Sequence, residues 1–189
     1  YATDLKIGRL TPQKVDPKNY RNRKTVDVLA IMTGVSKQGD PGDFLDAFES
    51  HNPHYQALKK MLSLYRAMGE TIDWDAIPMG TDIKPGASDP RVPDIREKLM
   101  LTGDHPGGGD GEGDVYDSST VLAVRSFQLR NGLEAKGLIG KQTILALNVP
   151  PADRARQVML NMERWRWMPE DLGDHHFMVN LAAVSYTHL

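Results

Sequence analysis

The sequence predicts a mainly α-helical chain that ends in one short strand. Two observations carry that expectation. Apolar residues recur at helical spacing through most of the chain, with polar residues between them. Strict alternation occurs once, near the end, where Phe177, Val179 and Leu181 interleave with Met178, Asn180 and Ala182.

In chain order, residues 25–33 and 43–49 read as short helices, with Pro12, Pro17, Pro41 and Pro53 as punctuation. Tyr55, Leu58, Met61, Leu62, Tyr65 and Met68 form the apolar stripe of a longer helix, and Gly69 reads as its stop. Residues 77–86 hold Pro78, Gly80, Pro85 and Gly86 and little periodicity, which reads as a linker with a domain boundary at or just after it. Ser88-Asp89-Pro90 fits a helix start, and that helix runs through Ile95, Leu99 and Met100 to Gly103. Residues 105–114 are rich in glycine and acid, so they predict a mobile loop that is dispensable for folding.

Asp117 or Ser118 opens the next helix. Val121, Val124 and Phe127 make one stripe, and Leu122 with Leu129 a second, which predicts a helix packed between neighbours. Gly132 closes it in a left-handed conformation, and Gly137 and Gly140 frame a tight connection to a short helix over 141–147. After Pro150-Pro151 a longer helix carries Ala155, Val158, Met159, Met162 and Trp165 on its main stripe, with Leu160 and Trp167 on a minor one, and Pro169 ends it. The closing strand has no ladder partner in sight, and a lone strand is not stable. The sequence therefore reads as interrupted at the start of a β-rich domain.

Composition narrows the function classes. The chain has 189 residues, 40% hydrophobic and 25% charged, values that suit a globular protein. A net charge of −2 argues against a nucleic-acid partner. The absence of cysteine excludes disulfides, thiolate metal sites and cysteine nucleophiles within these residues. No apolar run approaches the ~20 residues needed to span a bilayer. The chain opens at Tyr1 rather than Met, so the natural N-terminus, with any export signal or membrane anchor it carries, is expected upstream.

Two motifs carry a resemblance. The stretch AVRSFQLRNGLEAKGLIGKQTILAL, from Ala123 to Leu147, is similar to the core of peptidoglycan-binding-like modules, roughly AVxxFQxxxGLxxDGxxGxxTxxAL. Phe127, Gln128, Gly132, Leu133, Gly137, Gly140, Thr143 and Leu147 match, while Lys136 stands where the family prefers Asp. The run Asn161-Met162-Glu163-Arg164-Trp165-Arg166-Trp167-Met168-Pro169 resembles the NLERWRWLP signature of large Gram-negative L,D-transpeptidases. Leu10-Thr11-Pro12 and the segment from Asn52 to Leu58 look like that family's helical scaffold.

The resemblance implies a helical scaffold domain over 1–86, a three-helix peptidoglycan-binding-like domain over 87–149, a linker helix and connection over 150–175, and from 176 to 189 the first strand of a catalytic domain that is cut off. It implies a periplasmic or cell-envelope enzyme without a cofactor. Such an enzyme forms 3→3 peptidoglycan cross-links through a cysteine acyl-enzyme, after thiolate attack on the third stem residue and loss of the terminal D-Ala. The family's His and its Ser-x-Gly-Cys segment followed by Arg are absent here, so only binding and scaffolding roles are open to these residues. A stand-alone peptidoglycan-binding or scaffold protein is the rival reading, and a wall hydrolase with the same module a weaker one. The partners implied are peptidoglycan stem peptides and glycan, and the protein's own catalytic domain.

The candidate binding or interdomain residues are Arg154, Arg164, Trp165 and Trp167. The tryptophans suit an interdomain joint better than a sugar platform, since helical stripes favour burial. Trp167, on the side of Leu160, is expected to be wetter than Trp165. The arginines suit stem-peptide carboxylates or, more simply, helix neighbours. His51 with His54, and His175 with His176, lack a third ligand in metal geometry, and Asp110, Glu112 and Asp114 do not follow a calcium-loop pattern, so no metal site is expected.

Overall fold

A computed structural model describes residues 1–15, 17, 21–37, 40–105, 113–169, 177–180 and 185–188. The chain is mainly helical: α1 (Ala2–Ile7), α2 (Pro12–Val15), α3 (Val28–Lys37), α4 (Pro41–Asp46), α5 (Pro53–Thr71), α6 (Val92–Leu101), α7 (Ser118–Arg130), α8 (Lys141–Leu147) and α9 (Pro151–Arg166), followed by strands β1 (Phe177–Asn180) and β2 (Ser185–His188). It falls into two compact units, residues 1–67 with 154–189, and residues 68–153.

In the first unit, polar caps set where the helices begin. The Asp27 carboxylate accepts from the Ala30 amide at 3.0 Å, so α3 starts at Val28 and runs on to Lys37 instead of occupying 25–33. Asp40 accepts from the Gly42 amide at 2.7 Å, and with Pro41 in the first turn it draws α4 forward to Pro41–Asp46, ahead of the expected 43–49. Ile31 and Phe44 are buried. A Cβ at Gly34 would lie 2.5 Å from the Phe44 ring, so glycine there is what lets the ring sit against α3. Asn52 accepts from the His54 amide at 2.9 Å at the start of α5. That helix does not stop at Gly69, which lacks the left-handed backbone of a C-cap, but continues to Thr71.

The closing strand is not partnerless. β1 pairs with β2 in antiparallel register, Phe177 opposite His188 and Asn180 opposite Ser185. The sequence reading missed β2 because Ser185-Tyr186-Thr187-His188 carries no apolar alternation, and a ladder needs only backbone donors and acceptors.

The second unit has a dense core: Ile77, Ile83, Val92, Ile95, Leu99, Tyr116, Val121, Ala123, Val124, Phe127, Ile139, Ile144 and Leu147 are all buried. The segment whose composition reads as a linker supplies part of it. Ile77 and Ile83 point into the core, and Ile83 forms a two-way bridge with Ile139 at 3.0 and 3.1 Å. α6 begins at Val92, with Pro93 in its first turn, and not at Asp89-Pro90. The Asp89 carboxylate is instead held by the Arg91 amide and guanidinium, which keeps it in the preceding turn.

α7 starts as expected: Asp117 caps it by accepting from the Thr120 amide at 2.7 Å. Its second stripe is a correction. Leu122 and Leu129 are 65% and 74% exposed, so α7 is buried on the Val121, Val124 and Phe127 face alone. Two leucines seven residues apart are too few to define a second packed face once the first side fills the core. The loop expected over 105–114 is tied down at both ends. His105 is buried, the Asp114 carbonyl accepts from the Asp89 amide at 2.9 Å, and Arg96 donates to the carbonyls of Gly113 and Val115. Residues 106–112, with Asp110 and Glu112, lie outside the described residues, as do His175 and His176.

Candidate functional site

One of the sequence-predicted residues, Trp167, enters a polar cluster at the end of α9, and the group at its centre is one that periodicity did not single out. Glu163 is buried, and its carboxylate takes three donors. Oε1 accepts from the Leu10 amide at 2.8 Å and from the Trp167 indole Nε1 at 3.3 Å, while Oε2 pairs with Arg166 at 3.2 Å. Arg166 also donates to the Tyr55 hydroxyl at 2.8 Å, and Tyr55 is fully buried. Burial pushes the Tyr55 phenol above its ordinary value, while the Arg166 charge opposes that shift and keeps the ring beside a cation.

Gly8 closes this cluster. Its φ is +82°, and a Cβ there would stand 2.4 Å from Glu163 Oε1 and 3.1 Å from the Trp167 indole nitrogen. The glycine is what allows the N-terminal segment to reach the carboxylate. Three sequence-distant pieces, near Gly8 and Leu10, at Tyr55, and from Glu163 to Trp167, thus meet around one buried carboxylate. A charge there is tolerable because it is paired and hydrogen-bonded on both oxygens.

Each expected site residue has a definite place. Trp167 is buried, at 8% exposure, and Trp165 is half-buried and stacked on His54, with ring centroids 5.3 Å apart and planes 13° from parallel. This reverses the expected order of the two indoles. α9 ends at Arg166, and the Trp167 amide bonds back to the Arg164 carbonyl, three residues earlier. That tighter turn takes Trp167 off the α-helical wheel and away from Leu160, which is 53% exposed. Arg164 is exposed and donates to Asn161 at 3.2 Å, and Arg154 donates to Gln157 at the same distance. Both bonds are to helix neighbours three residues away, and neither arginine joins the cluster. Glu163 was legible in one respect: it stands three and four residues before Arg166 and Trp167, the spacing at which helical side chains meet.

The second unit has its own polar assembly, and it explains its motif residue by residue. Phe127 fills the core. Gln128, beside it, turns its amide onto the following loop: Nε2 donates to the Leu138 carbonyl at 2.8 Å and to Thr143 at 2.9 Å, and Oε1 accepts from the Gly137 amide at 2.9 Å. The buried Tyr116 hydroxyl donates to the Gly137 carbonyl at 2.7 Å, and burial raises its pKa well above that of a free phenol. Gly132 has φ +70°, as expected from the sequence, and the Leu133 amide closes the turn on the Gln128 carbonyl at 2.8 Å. Asn148 clips Ile77 through both its carbonyl and its amide at 2.8 Å. Lys98 lies over the Trp74 ring, 4.6 Å from its centroid, and donates to the Asp75 carbonyl. Burial lowers its pKa.

Comparison with known families fits these two assemblies. Residues 1–62 match the family model described as "Scaffold domain", and residues 88–147 match that described as "Putative peptidoglycan binding domain". No curated protein matches the chain. The pair of matches supports a cell-wall binding role. It is consistent with the architecture that the tryptophan signature implies, and the second match covers Phe127 in the core and Gln128, Gly132, Gly137 and Thr143 around the loop described above.

Proposed function

We propose that these residues are the non-catalytic front part of a cell-envelope L,D-transpeptidase. In this reading the second unit engages the wall, and the end of α9 anchors the start of a catalytic domain that follows. The observation that carries the proposal is the Glu163 cluster. Three residues of the signature at Asn161–Pro169, Glu163, Arg166 and Trp167, lock together there and are tied to Tyr55 and Leu10. An anchored helix end is what a following domain needs if it is to be held in a fixed place. The antiparallel pair formed by β1 and β2 is in keeping with a β-rich domain beginning there.

The cross-linking chemistry belongs to the expected downstream domain. A cysteine thiolate would form the acyl-enzyme and an amine from a neighbouring stem would resolve it. The 189 residues contain no cysteine, so this segment forms no thioester and no carbapenem adduct.

The test is the coding sequence beyond Leu189, followed by expression of the extended protein. A Ser-x-Gly-Cys segment, together with 3→3 linked dimers in digested sacculi that disappear when its cysteine becomes alanine, is the expected result. A stop codon would favour a stand-alone binder. A set of zinc ligands would favour a hydrolase. Either would overturn the transpeptidase reading.

A further inference from the structure

The second unit contains four arginines, and three of them are committed to aspartates. Arg91 pairs with Asp89 at 2.8 Å, Arg96 with Asp117 at 3.8 Å, and Arg130 with Asp104. Arg125 is the exception: among the described residues no carboxylate pairs with it. It is exposed on α7, yet its place is defined. A Cβ at Gly137 would lie 2.9 Å from Arg125 Nε and 3.3 Å from its Cγ, so the arginine stem lies across the space that glycine leaves open. Gly137 has φ +72° and is held from both sides by Gln128 and Tyr116, so the surface under the arginine is fixed.

The neighbours of Arg125 on the helix are equally telling. Leu122 precedes it by three residues and Leu129 follows it by four, so the three share one face of α7. Both leucines are exposed. The result is a cation with two apolar groups along one line and, among the described residues, no carboxylate paired with it.

The aromatic residues of the unit decide which part of a wall polymer fits. Tyr116 and Phe127 are buried, and the Trp74 ring is covered by Lys98, with its indole nitrogen donating to the Leu147 carbonyl at 2.9 Å. These are all the aromatic rings of Phe, Tyr and Trp in residues 68–153: two are buried and the third, Trp74, is half-buried with a cation over one face, which leaves little ring surface on which a sugar could stack. A neutral glycan has no use for a lone guanidinium between two leucines. A stem peptide offers free carboxylates next to alanine methyl groups.

We propose that Leu122, Arg125 and Leu129 form a face that recognises a stem-peptide carboxylate, the guanidinium taking both oxygens and the leucines covering the adjoining methyls. The inference rests on the cell-wall reading, and it places recognition on the peptide and not on the glycan.

The test is co-sedimentation of the purified chain with two preparations: intact sacculi, and sacculi whose stem-peptide carboxylates have been capped as amides with carbodiimide and methylamine. The unsubstituted chain is expected to pellet with intact sacculi and to lose most of that binding on capped sacculi. Arg125→Gln should weaken binding to intact sacculi about tenfold, the effect of losing a charge-assisted hydrogen-bonded pair. Arg125→Lys, which keeps the charge without the fork, should fall between. Thermal unfolding should be similar in all three, because Gln and Lys keep the aliphatic stem that lies over Gly137 and among the described residues no ion pair is lost. Equal binding to intact and capped sacculi would overturn the inference while leaving the cell-wall reading standing. So would an Arg125→Gln variant that pellets like the unsubstituted chain. Failure of the unsubstituted chain to bind either preparation would remove the cell-wall reading and this inference together.

Discussion

The two units keep their shape by different means. In residues 68–153 a contiguous apolar core does most of the work, and the polar groups around it, Gln128, Tyr116 and Asn148, serve to pin loops onto it. In the first unit the apolar packing is thinner. Val28, Leu29 and Met32 on α3 are exposed, and the best-connected point is a buried carboxylate. A hydrophobic core tolerates volume-conserving change and fails when a large side chain is lost. A buried charge network tolerates almost no loss of a partner, because each remaining group is left desolvated and unpaired. The contrast can be tested from both sides.

The largest effect belongs to the core. Phe127→Ala should cost about 3–5 kcal/mol, as for other buried aromatics. Urea denaturation of the chain should show it as a lower midpoint with a similar slope. A cost below about 1 kcal/mol would mean that the Val121, Val124 and Phe127 face is not the buried one.

Next comes the charge cluster. Glu163→Ala strands the Leu10 amide, the Trp167 indole and the Arg166 guanidinium, and should cost about 2–4 kcal/mol. The readout is indole emission in a Trp74→Phe, Trp165→Phe background, where Trp167 is the sole tryptophan. It should emit as a buried ring in the parent and shift to the red in the Glu163 variant. Red emission already in the parent would show that Trp167 is not held in the cluster.

A smaller effect is expected at the α7 cap. Asp117→Ala should cost about 1 kcal/mol at neutral pH. Burial pushes the Asp117 carboxyl upward, but hydrogen bonds from Thr120 and Ser119 and the charge of Arg96 outweigh it, so the folded pKa is lowered. A lowered carboxylate pKa contributes stability that is fully present above the unfolded value, about 3.9, and is lost as pH falls through the folded value. The gap between parent and variant should therefore narrow below about pH 4. A gap that widens on acidification would contradict the assignment.

The smallest effect sharpens the comparison. Leu122→Ser and Leu129→Ser should each change stability by no more than about 0.5 kcal/mol, since both side chains are already in water. Val124→Ser, one helical face away and fully buried, should be far more damaging. If the two exposed leucines proved as sensitive as Val124, α7 would be packed on both sides after all.

Local signals in the sequence determined a good deal by themselves. α8 was legible as residues 141–147, α7 from its Asp117 cap to its left-handed Gly132, and the start of α9 from Pro150-Pro151. Each depends on interactions within a few residues: a cap, a proline that fits the first turn, a glycine that allows positive φ. The candidate site was legible in part, since Trp165 and Trp167 were chosen but their order of burial was not.

Tertiary structure alone decided the rest. Ile77 and Ile83 sit in a stretch with the composition of a linker, and only the bridge to Ile139 and the Asn148 clip make it part of a core. β2 exists through backbone pairing that side-chain alternation does not announce. Trp167 is buried because Glu163 and Gly8, 4 and 159 positions away, come to it. A helical wheel places side chains relative to their own axis. It says nothing of what arrives from elsewhere in the chain, and burial of a group such as Glu163 depends on partners that folding alone brings together.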